Sequence, residues 1–208
     1  MLPLEPQSIV EEARKCVLCG KCLAACPLFL ETGKEEDSPR GKLFLIANLS
    51  PLTPRAAELI FPCLLCGECE KVCPLEIRIM DVLLSLRFYY KLPLSFEVKE
   101  LSEKEGKKPV YPGCFEKTPE DGMVPPGLVC SGFYHLLSGD LETYKKCAEQ
   151  NVRVLKNYPG IEILCPLAFT AISLYSVFFG DEFRVDIRGE KALKIPPCFF
   201  NIFPERFS

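Results

Sequence analysis

A cysteine motif that occurs twice constrains the fold of this chain more than any other feature. Both copies read C-x2-C-x2-C-x3-C-P, and a leucine, a glycine and the proline recur in register. The cysteines of the two copies are Cys16, Cys19, Cys22, Cys26 and Cys63, Cys66, Cys69, Cys73. Each copy predicts a tight loop that turns its thiols toward a common centre.

This spacing is typical of [4Fe–4S] ligation, in which four thiolates surround a small cubane core. The first three cysteines of a motif reach one side of a cluster, and the fourth ligand comes from elsewhere. In two-cluster ferredoxins the fourth cysteine of each run binds the other cluster. We therefore assign two ligand sets: Cys16, Cys19, Cys22 and Cys73 for cluster 1, and Cys63, Cys66, Cys69 and Cys26 for cluster 2.

Zinc and disulfides are the alternative uses of these thiols. Zinc sites usually combine two C-x2-C pairs, not a triple followed by a fourth cysteine and a proline. Disulfides require an oxidising compartment. Residues 1–10 lack the basic segment and apolar core of a secretory signal, so we expect a reducing, cytoplasmic location. Peripheral attachment to the inner face of the membrane through a partner stays open.

Composition excludes several classes of function. The net charge is −3 and the pI about 5.4, unlike the basic footprint of a nucleic-acid-binding protein. The glycines form neither a phosphate-binding loop nor a dinucleotide fingerprint, so we expect no nicotinamide or flavin site on this chain. The longest apolar run, residues 164–179, is interrupted by polar residues and is short for a membrane span, which favours a buried element.

The pattern divides the chain into two domains and a linker. Residues 1–93 read as helices between the cysteine motifs, residues 94–107 as a charge-rich linker and residues 108–208 as a small α/β domain. Helix starts are predicted at a capping box on Ser8, at Ser38-Pro39 and at Thr53-Pro54, with a longer helix after Pro74. The wide, helical insert between the motifs indicates an α-helical ferredoxin, so the fold class is mainly α.

Strands and one helix are predicted in the second domain. The strands cover residues 109–111, 161–164 and 183–187, the last with the alternation of a half-buried strand. The helix covers residues 140–158, and Cys147 lies on its apolar stripe as a core residue. His135 is the single histidine of the chain, and we interpret it as structural rather than catalytic.

The N-terminal region resembles a known group of redox proteins. The first motif, then Ser38-Pro39-Arg40-Gly41-Lys42, then the second motif are similar to the iron–sulfur subunits of glycolate oxidase and anaerobic glycerol-3-phosphate dehydrogenase and to a small iron–sulfur subunit of heterodisulfide reductase. The resemblance covers roughly residues 8–90. It implies a domain that relays electrons between a flavoprotein partner and a further, redox or membrane-associated, acceptor.

The C-terminal region resembles a reduced cysteine-rich CCG domain. The matching segments are Gly113-Cys114, Cys130-Ser131-Gly132, Cys165-Pro166-Leu167-Ala168 and Pro197-Cys198. Ser131 and Ala168 stand where the family has cysteines, and a second repeat is lacking. The family's complete motif pair cleaves a disulfide, and this chain lacks part of that ligand set.

Two interpretations of the surviving C-terminal cysteines remain open. Cys114, Cys130, Cys165 and Cys198 either meet at a third metal site, zinc or iron–sulfur, or are buried small apolar residues. An aromatic tail, Phe199, Phe200, Phe203 and Phe207, either closes the core or docks on a partner. The leading hypothesis is a non-catalytic electron-transfer subunit with two [4Fe–4S] clusters. The alternatives are a subunit with its own thiol–disulfide centre and a structural zinc protein.

Overall fold

The computed structural model describes residues 4–49, 51, 53–92, 94–113, 117–180, 183 and 185–189. Its contacts divide the chain into two compact units. The first holds the described residues up to 92 together with Leu137–Gly139, and the second holds residues 94–136 and 140–189. This division does not test which kind of domain each unit is, so the predicted identities of the two domains stay predictions.

The first unit is built from helices. They are α1 (Pro6–Arg14), α2 (Pro27–Thr32), α3 (Pro39–Asn48), α4 (Pro54–Ile60), α5 (Glu68–Lys71) and α6 (Ile79–Tyr89), with a 3-10 turn at Glu35–Asp37. Within the described residues up to 92 there is no strand, in line with the sequence pattern. The short helices α2 and α5 were not predicted, because each is only a turn or so long and begins inside or directly after a cysteine motif.

Proline fixes the start of four of these helices, since its missing N–H is not needed in the first turn. The predicted caps of α3 and α4 are confirmed: the Ser38 hydroxyl accepts a hydrogen bond from the Gly41 amide at 2.9 Å, and that of Thr53 from the Ala56 amide at 3.2 Å. The predicted start at Ser8 is wrong. Helix α1 already begins at Pro6, which is better suited to the first helical position.

The core of the first unit forms where α1 packs on α3 and α6. Ile9 and Ala13 of α1 are buried there. Ile79, Val82, Leu83 and Leu86 of α6 are buried as well, each at most 3% exposed. Burying side chains of this size stabilises the fold by about 1.5–3 kcal/mol each. Helix α6 begins well after Pro74, because the loop that carries Cys73 continues to Arg78.

A four-stranded parallel sheet organises the second unit. Its strands are β1 (Lys108–Tyr111), β2 (Gly122–Met123), β3 (Gly160–Ile163) and β4 (Asp186–Gly189), in the order β2-β1-β3-β4. In register, Val110 pairs with Glu162, and Ile161 with Ile187. The remaining helices within the described residues are α7 (Phe133–Ser138), α8 (Leu141–Leu155), α9 (Pro166–Ser173) and α10 (Tyr175–Phe179). The predicted helix at 140–158 and the strands near 110 and 162 are confirmed.

The structure differs from the prediction at three places in this unit. Strand β4 lies later than the predicted strand at 183–187 and is mostly exposed, because it is the last strand of the sheet. The apolar run 164–179 forms α9 and α10 instead of one element. The predicted linker is hydrogen-bonded: the Leu101 amide donates to the Leu128 carbonyl, and the Cys130 amide to the Lys99 carbonyl.

Among the described residues, no helix combines the length and the apolar character needed to span a membrane.

Candidate metal centres

The two cysteine motifs adopt the same backbone conformation. Leu18 and Leu65, each just before the second cysteine, have positive φ angles of 57° and 53°. Gly20 and Gly67, each just after that cysteine, have φ angles of 83° and 77°. Successive amides in such alternating conformations point inward and form a concave site for anions, a device found at iron–sulfur centres.

Matching hydrogen bonds bring the fourth cysteine of each motif out of its loop. In the first motif the Leu23 amide donates to the Gly20 carbonyl at 3.0 Å, and the Cys26 amide to the Leu23 carbonyl at 3.2 Å. The second motif repeats both bonds, from Glu70 to Gly67 at 3.1 Å and from Cys73 to Glu70 at 3.2 Å. Each turn therefore directs its last cysteine away from the three that precede it.

Two cavities receive these thiols, and each takes three cysteines from one motif and the fourth from the other. Cavity 1 is lined by Cys16, Cys19, Cys22 and Cys73. Cavity 2 is lined by Cys26, Cys63, Cys66 and Cys69. The grouping coincides with the two ligand sets that the spacing predicted.

Helices α3 and α6 line both cavities. Helix α3 contributes Arg40 and Leu43 to cavity 1, and Pro39 and Lys42 to cavity 2. Helix α6 contributes Ile79 to cavity 1, and Met80 and Leu83 to cavity 2. The two cavities are thus neighbours that share α3 and α6 as walls.

Solvent access distinguishes the two cavities. Cys19 is exposed, whereas its counterpart Cys66 is buried. Val17 and Leu18 beside Cys19 are 68% and 45% exposed. Their counterparts in the second motif, Leu64 and Leu65, are each only 2% exposed. The first motif is therefore more exposed at the second cysteine and its neighbours, which form an apolar rim beside cavity 1, than the second motif is at the matching positions beside cavity 2.

Cys26, Cys66 and Cys69 of cavity 2 resist ionisation in the absence of a bound cation. Burial raises the pKa of Cys26 and Cys69, and it raises that of Cys66 to about 11. Neighbouring thiolates add to the rise, because like charges close together oppose each other. Four thiolates in such a site need positive charge beside them, which the irons of a cluster supply. The donor set of each cavity, four cysteines and mainly apolar walls, fits a [4Fe–4S] cluster.

Two basic side chains of α3 are fixed at the cavities. The Arg40 guanidinium donates to both carboxylate oxygens of Glu35, at 2.7 and 3.1 Å, and to the Leu18 carbonyl at 3.2 Å. It thereby secures the left-handed turn of the first motif. The buried Lys42 ammonium lies 3.8 Å from a carboxylate oxygen of Asp37. These contacts give a structural reason for the basic segment between the motifs.

Within the described residues, no group of three or more His, Cys, Asp or Glu side chains is arranged to hold a single metal ion.

The candidate third site is described only in part. Cys114 and Cys198 lie outside the described residues, as does the aromatic tail at Phe199, Phe200, Phe203 and Phe207. Cys130 is buried and Cys165 half-buried, the latter close against Gly113. Cys147 is 2% exposed, as predicted for a core residue, and burial beside Cys130 raises its pKa to about 12. The third site stays a prediction.

A buried polar network that sequence reasoning missed holds the loop of Cys130. The Asn151 side chain accepts from the Val129 amide at 2.9 Å and donates to the Cys130 carbonyl at 3.2 Å and the Tyr175 hydroxyl at 3.0 Å. Tyr175 in turn donates to the Ser131 carbonyl at 2.9 Å. The sequence held one signal of this network, because Asn151 lies within the apolar stripe of α8, where a polar side chain needs buried hydrogen-bond partners.

His135 is placed as a structural residue would be. It is 2% exposed, its Nδ1 lies 3.6 Å from a carboxylate oxygen of Asp140, and the ring of Phe96 meets it edge-on. Nothing in these contacts gives it a catalytic role.

Comparison with known proteins identifies the N-terminal region. A family model described as a 4Fe-4S dicluster domain matches residues 12–77. The chain contains a 4Fe-4S dicluster domain. Such a domain binds metal and transfers electrons, as the motifs predicted. The family model matches no residue beyond 77, so the interpretation of residues 108–208 as a CCG domain stays a prediction.

One relative supports the resemblance stated from the residues. The glycolate oxidase iron-sulfur subunit of Escherichia coli (strain K12) is 49% identical over 43 residues, which is 21% of this chain and 10% of that protein. The similarity to iron–sulfur subunits of this type is thus confirmed, over about a tenth of the relative's length. No solved structure matches the chain.

Proposed function

We propose that this chain is an electron-transfer subunit that holds two [4Fe–4S] clusters and relays electrons between a flavoprotein partner and a downstream acceptor. The observation that carries the proposal is the pair of cavities, each lined by four cysteines drawn from both motifs. When bound, a [4Fe–4S] cluster supplies one-electron transfer at a potential that its surroundings set. The protein supplies ligands, position and access.

The ligand sets follow the crossed pattern. Cys16, Cys19, Cys22 and Cys73 hold cluster 1, and Cys63, Cys66, Cys69 and Cys26 hold cluster 2. The left-handed loops at Leu18 and Leu65 turn backbone amides toward the cluster sulfurs. Each motif thus contributes three ligands to one site and one ligand to the other.

Besides the ligands, an electron relay needs walls that exclude water from the clusters and hold the two sites next to each other. Leu43, Ile79 and Leu83 are buried on α3 and α6 between or beside the cavities. These rigid helices fix the separation of the sites, as an electron relay requires.

Cavity 1 is the entry or exit for electrons in this proposal. Cys19 is exposed there, and Val17, Leu18 and Leu75 form an exposed apolar rim. A redox partner that covers this rim brings its own cofactor close to a cluster ligand. The name of the bacterial relative, an iron-sulfur subunit of an oxidase, supports a multi-subunit complex as the setting. A flavoprotein dehydrogenase or reductase is the proposed partner, in the cytoplasm or at the inner face of the membrane.

We do not propose the alternative of a thiol–disulfide centre in the second unit. Reactive thiols need a lowered pKa and access to substrate. Of the surviving cysteines that the structure describes, Cys130 is buried and Cys165 is half-buried. Ser131 and Ala168 also replace two cysteines of the complete motif.

The decisive experiment measures iron, acid-labile sulfide and zinc in the anaerobically purified chain. We expect about eight irons and eight sulfides per chain, the content of two [4Fe–4S] clusters, and no zinc. Additional iron, or one zinc beside eight irons, would support the third site at the C-terminal cysteines. Iron near zero after anaerobic reconstitution would overturn the proposal.

Paired cysteine variants test the crossed ligand sets. Cys19→Ser combined with Cys73→Ser removes two ligands of one cluster, so we expect about four irons to remain, as in either single variant. Cys66→Ser combined with Cys73→Ser removes one ligand from each cluster and leaves little iron. If instead the Cys66/Cys73 pair leaves about four irons, each motif binds its own cluster and the crossed assignment is wrong.

A further inference from the structure

Helix α6 carries a fully buried arginine beside one of the cluster ligands. Arg87 is 2% exposed. Its Nη1 donates to the Leu83 carbonyl at 2.6 Å and its Nη2 to the Phe61 carbonyl at 3.0 Å, while the guanidinium lies 5.4 Å from the centre of the Phe61 ring. Two carbonyls and an aromatic face thus fix the group but leave its charge uncompensated.

A buried cation without a counter-charge is costly, and proteins almost always pair such a group. Among the described residues, Arg87 forms no ion pair with a carboxylate. Its two carbonyl partners place the guanidinium beside cavity 2, because Leu83 lines that cavity and Phe61 directly precedes two further lining residues, Pro62 and Cys63. The Cys63 sulfur favours the charged form of the guanidinium. An arginine side chain stays protonated in proteins.

The two basic residues of α3 at the cavities differ in this respect. Arg40 at cavity 1 is partly exposed and binds both carboxylate oxygens of Glu35. Lys42 at cavity 2 is buried with Asp37. Each of these cations has a carboxylate partner, so each forms a nearly neutral pair. Arg87 differs from both. Within the described residues its buried charge forms no ion pair with a carboxylate and has only a cysteine beside it.

We propose that Arg87 is the counter-charge of the cluster bound through Cys63, and that its charge raises the reduction potential of that cluster. The proposal rests on the proposed function, since it requires a cluster in cavity 2. Reduction adds one electron, supplied by the donor, and no proton moves to or from Arg87. A fixed positive charge in a poorly screened interior favours the state that carries one more negative charge.

Arg87 is therefore a positioning and electrostatic residue and not a ligand. Its two carbonyl contacts hold the guanidinium at the Cys63 side of cavity 2, on the same helix that lines cavity 1. The charge acts on one of the two sites and separates their potentials. The consequence for the relay is that the inner site retains an electron more readily than it would without Arg87.

The test is a redox titration of the complete chain, followed by electron paramagnetic resonance and by iron content. In Arg87→Met, which removes the charge but keeps an apolar chain of similar length, we expect one of two clusters to shift to lower potential. The shift should be at least tenfold in the reduction equilibrium, or 59 mV for a one-electron couple. Arg87→Lys keeps the charge, so both reduction potentials should stay close to those of the wild-type protein. Arg55→Met makes the same substitution at an 80% exposed side chain and should change neither potential.

Each outcome decides between a charge and a packing role. A fully loaded Arg87→Met protein with unchanged potentials, or equal shifts in the Met and Lys variants, overturns the proposal. If the Met variant loses about four irons while the Lys variant keeps eight, the charge is needed at the site and the proposal stands. If both variants lose iron, Arg87 has a packing role and the proposal fails. A wild-type chain without clusters would refute the proposed function itself, which none of these results does.

Discussion

Leu18 and Leu65 show at the residue scale how far the cysteine loops depart from ordinary backbone geometry. A left-handed φ angle costs a non-glycine residue about 1–3 kcal/mol, and it persists only where the surroundings enforce it. Both leucines occupy the same position of their motifs, directly before the second cysteine, and a glycine directly follows that cysteine. The repeated strain belongs to the loop and its amide-lined concavity, not to either leucine side chain, because one is exposed and the other buried.

Substitutions at Leu18 test this view because its side chain is largely exposed. Leu18→Gly relieves the strained φ and should leave the iron content unchanged. Leu18→Val places a β-branched residue in the left-handed region and should lower the free energy of unfolding by about 1–2 kcal/mol, with loss of iron from the Cys19 site. Urea unfolding and iron analysis measure both effects. Leu30→Val, at an exposed helical position, is the control and should cost only about 0.5 kcal/mol. Equal losses at Leu18 and Leu30 would contradict the argument.

The sequence predicts the cysteine residues of the site but not its charged surroundings. Spacing alone groups eight cysteines, because a C-x2-C-x2-C-x3-C-P run has few other uses. Arg87 gives no such signal: one arginine in an apolar helix usually extends its charged end into solvent. Its burial depends on the Phe61 and Leu83 carbonyls, and a carbonyl partner distant in sequence leaves no pattern.

At the scale of elements, the helices with capping residues were the predictable ones. Ser38 and Thr53 each precede a proline, so local chemistry determines where α3 and α4 begin. The start of α1 and the position of β4 were misplaced. A second, stronger start signal at Pro6 overrides the one at Ser8, and the register of β4 depends on pairing with β3, which no local pattern specifies.

Asn151 links three elements of the second unit and was not predicted. Its side chain is fully buried and bonds the loop before Ser131 to the Tyr175 hydroxyl of α10. An amide in this position is stabilising only if all of its partners are present, because a buried unsatisfied group costs about 1–3 kcal/mol. The network therefore fixes the loop of Cys130 irrespective of whether that cysteine binds metal.

Asn151→Ala should be strongly destabilising for this reason. It removes three buried hydrogen bonds, to the Val129 amide, the Cys130 carbonyl and the Tyr175 hydroxyl, and we expect a loss of about 3 kcal/mol in the free energy of unfolding. Near-ultraviolet circular dichroism of the tyrosines during urea unfolding of the whole chain reports on this unit. Asn157→Ala removes an exposed contact to the Arg153 carbonyl and should change stability by less than about 0.5 kcal/mol. Similar losses in both variants would show that the network contributes little.

At the scale of the whole molecule, one repeated motif produces two sites of different character. Equivalent positions, Val17 and Leu64 or Cys19 and Cys66, are exposed in one copy and buried in the other. The difference arises from the elements around them, since Pro62, Met80 and Leu83 line cavity 2. An exposed site suits exchange with a partner, and an enclosed one suits retention of the electron, which the charge of Arg87 would strengthen.

This difference predicts two rates of iron removal. When the loaded protein is treated anaerobically with a strong iron chelator, about four irons should leave quickly from the exposed site and about four slowly from the enclosed one. The variants Cys73→Ser and Cys26→Ser identify the phases, because each removes a ligand of a different site. Cys73→Ser should retain only the slow phase and Cys26→Ser only the fast phase, both followed by the absorbance of the iron–chelator complex. A single phase for all eight irons, or a fast phase that survives in Cys73→Ser, would mean that exposure of Cys19 does not control access to the cluster.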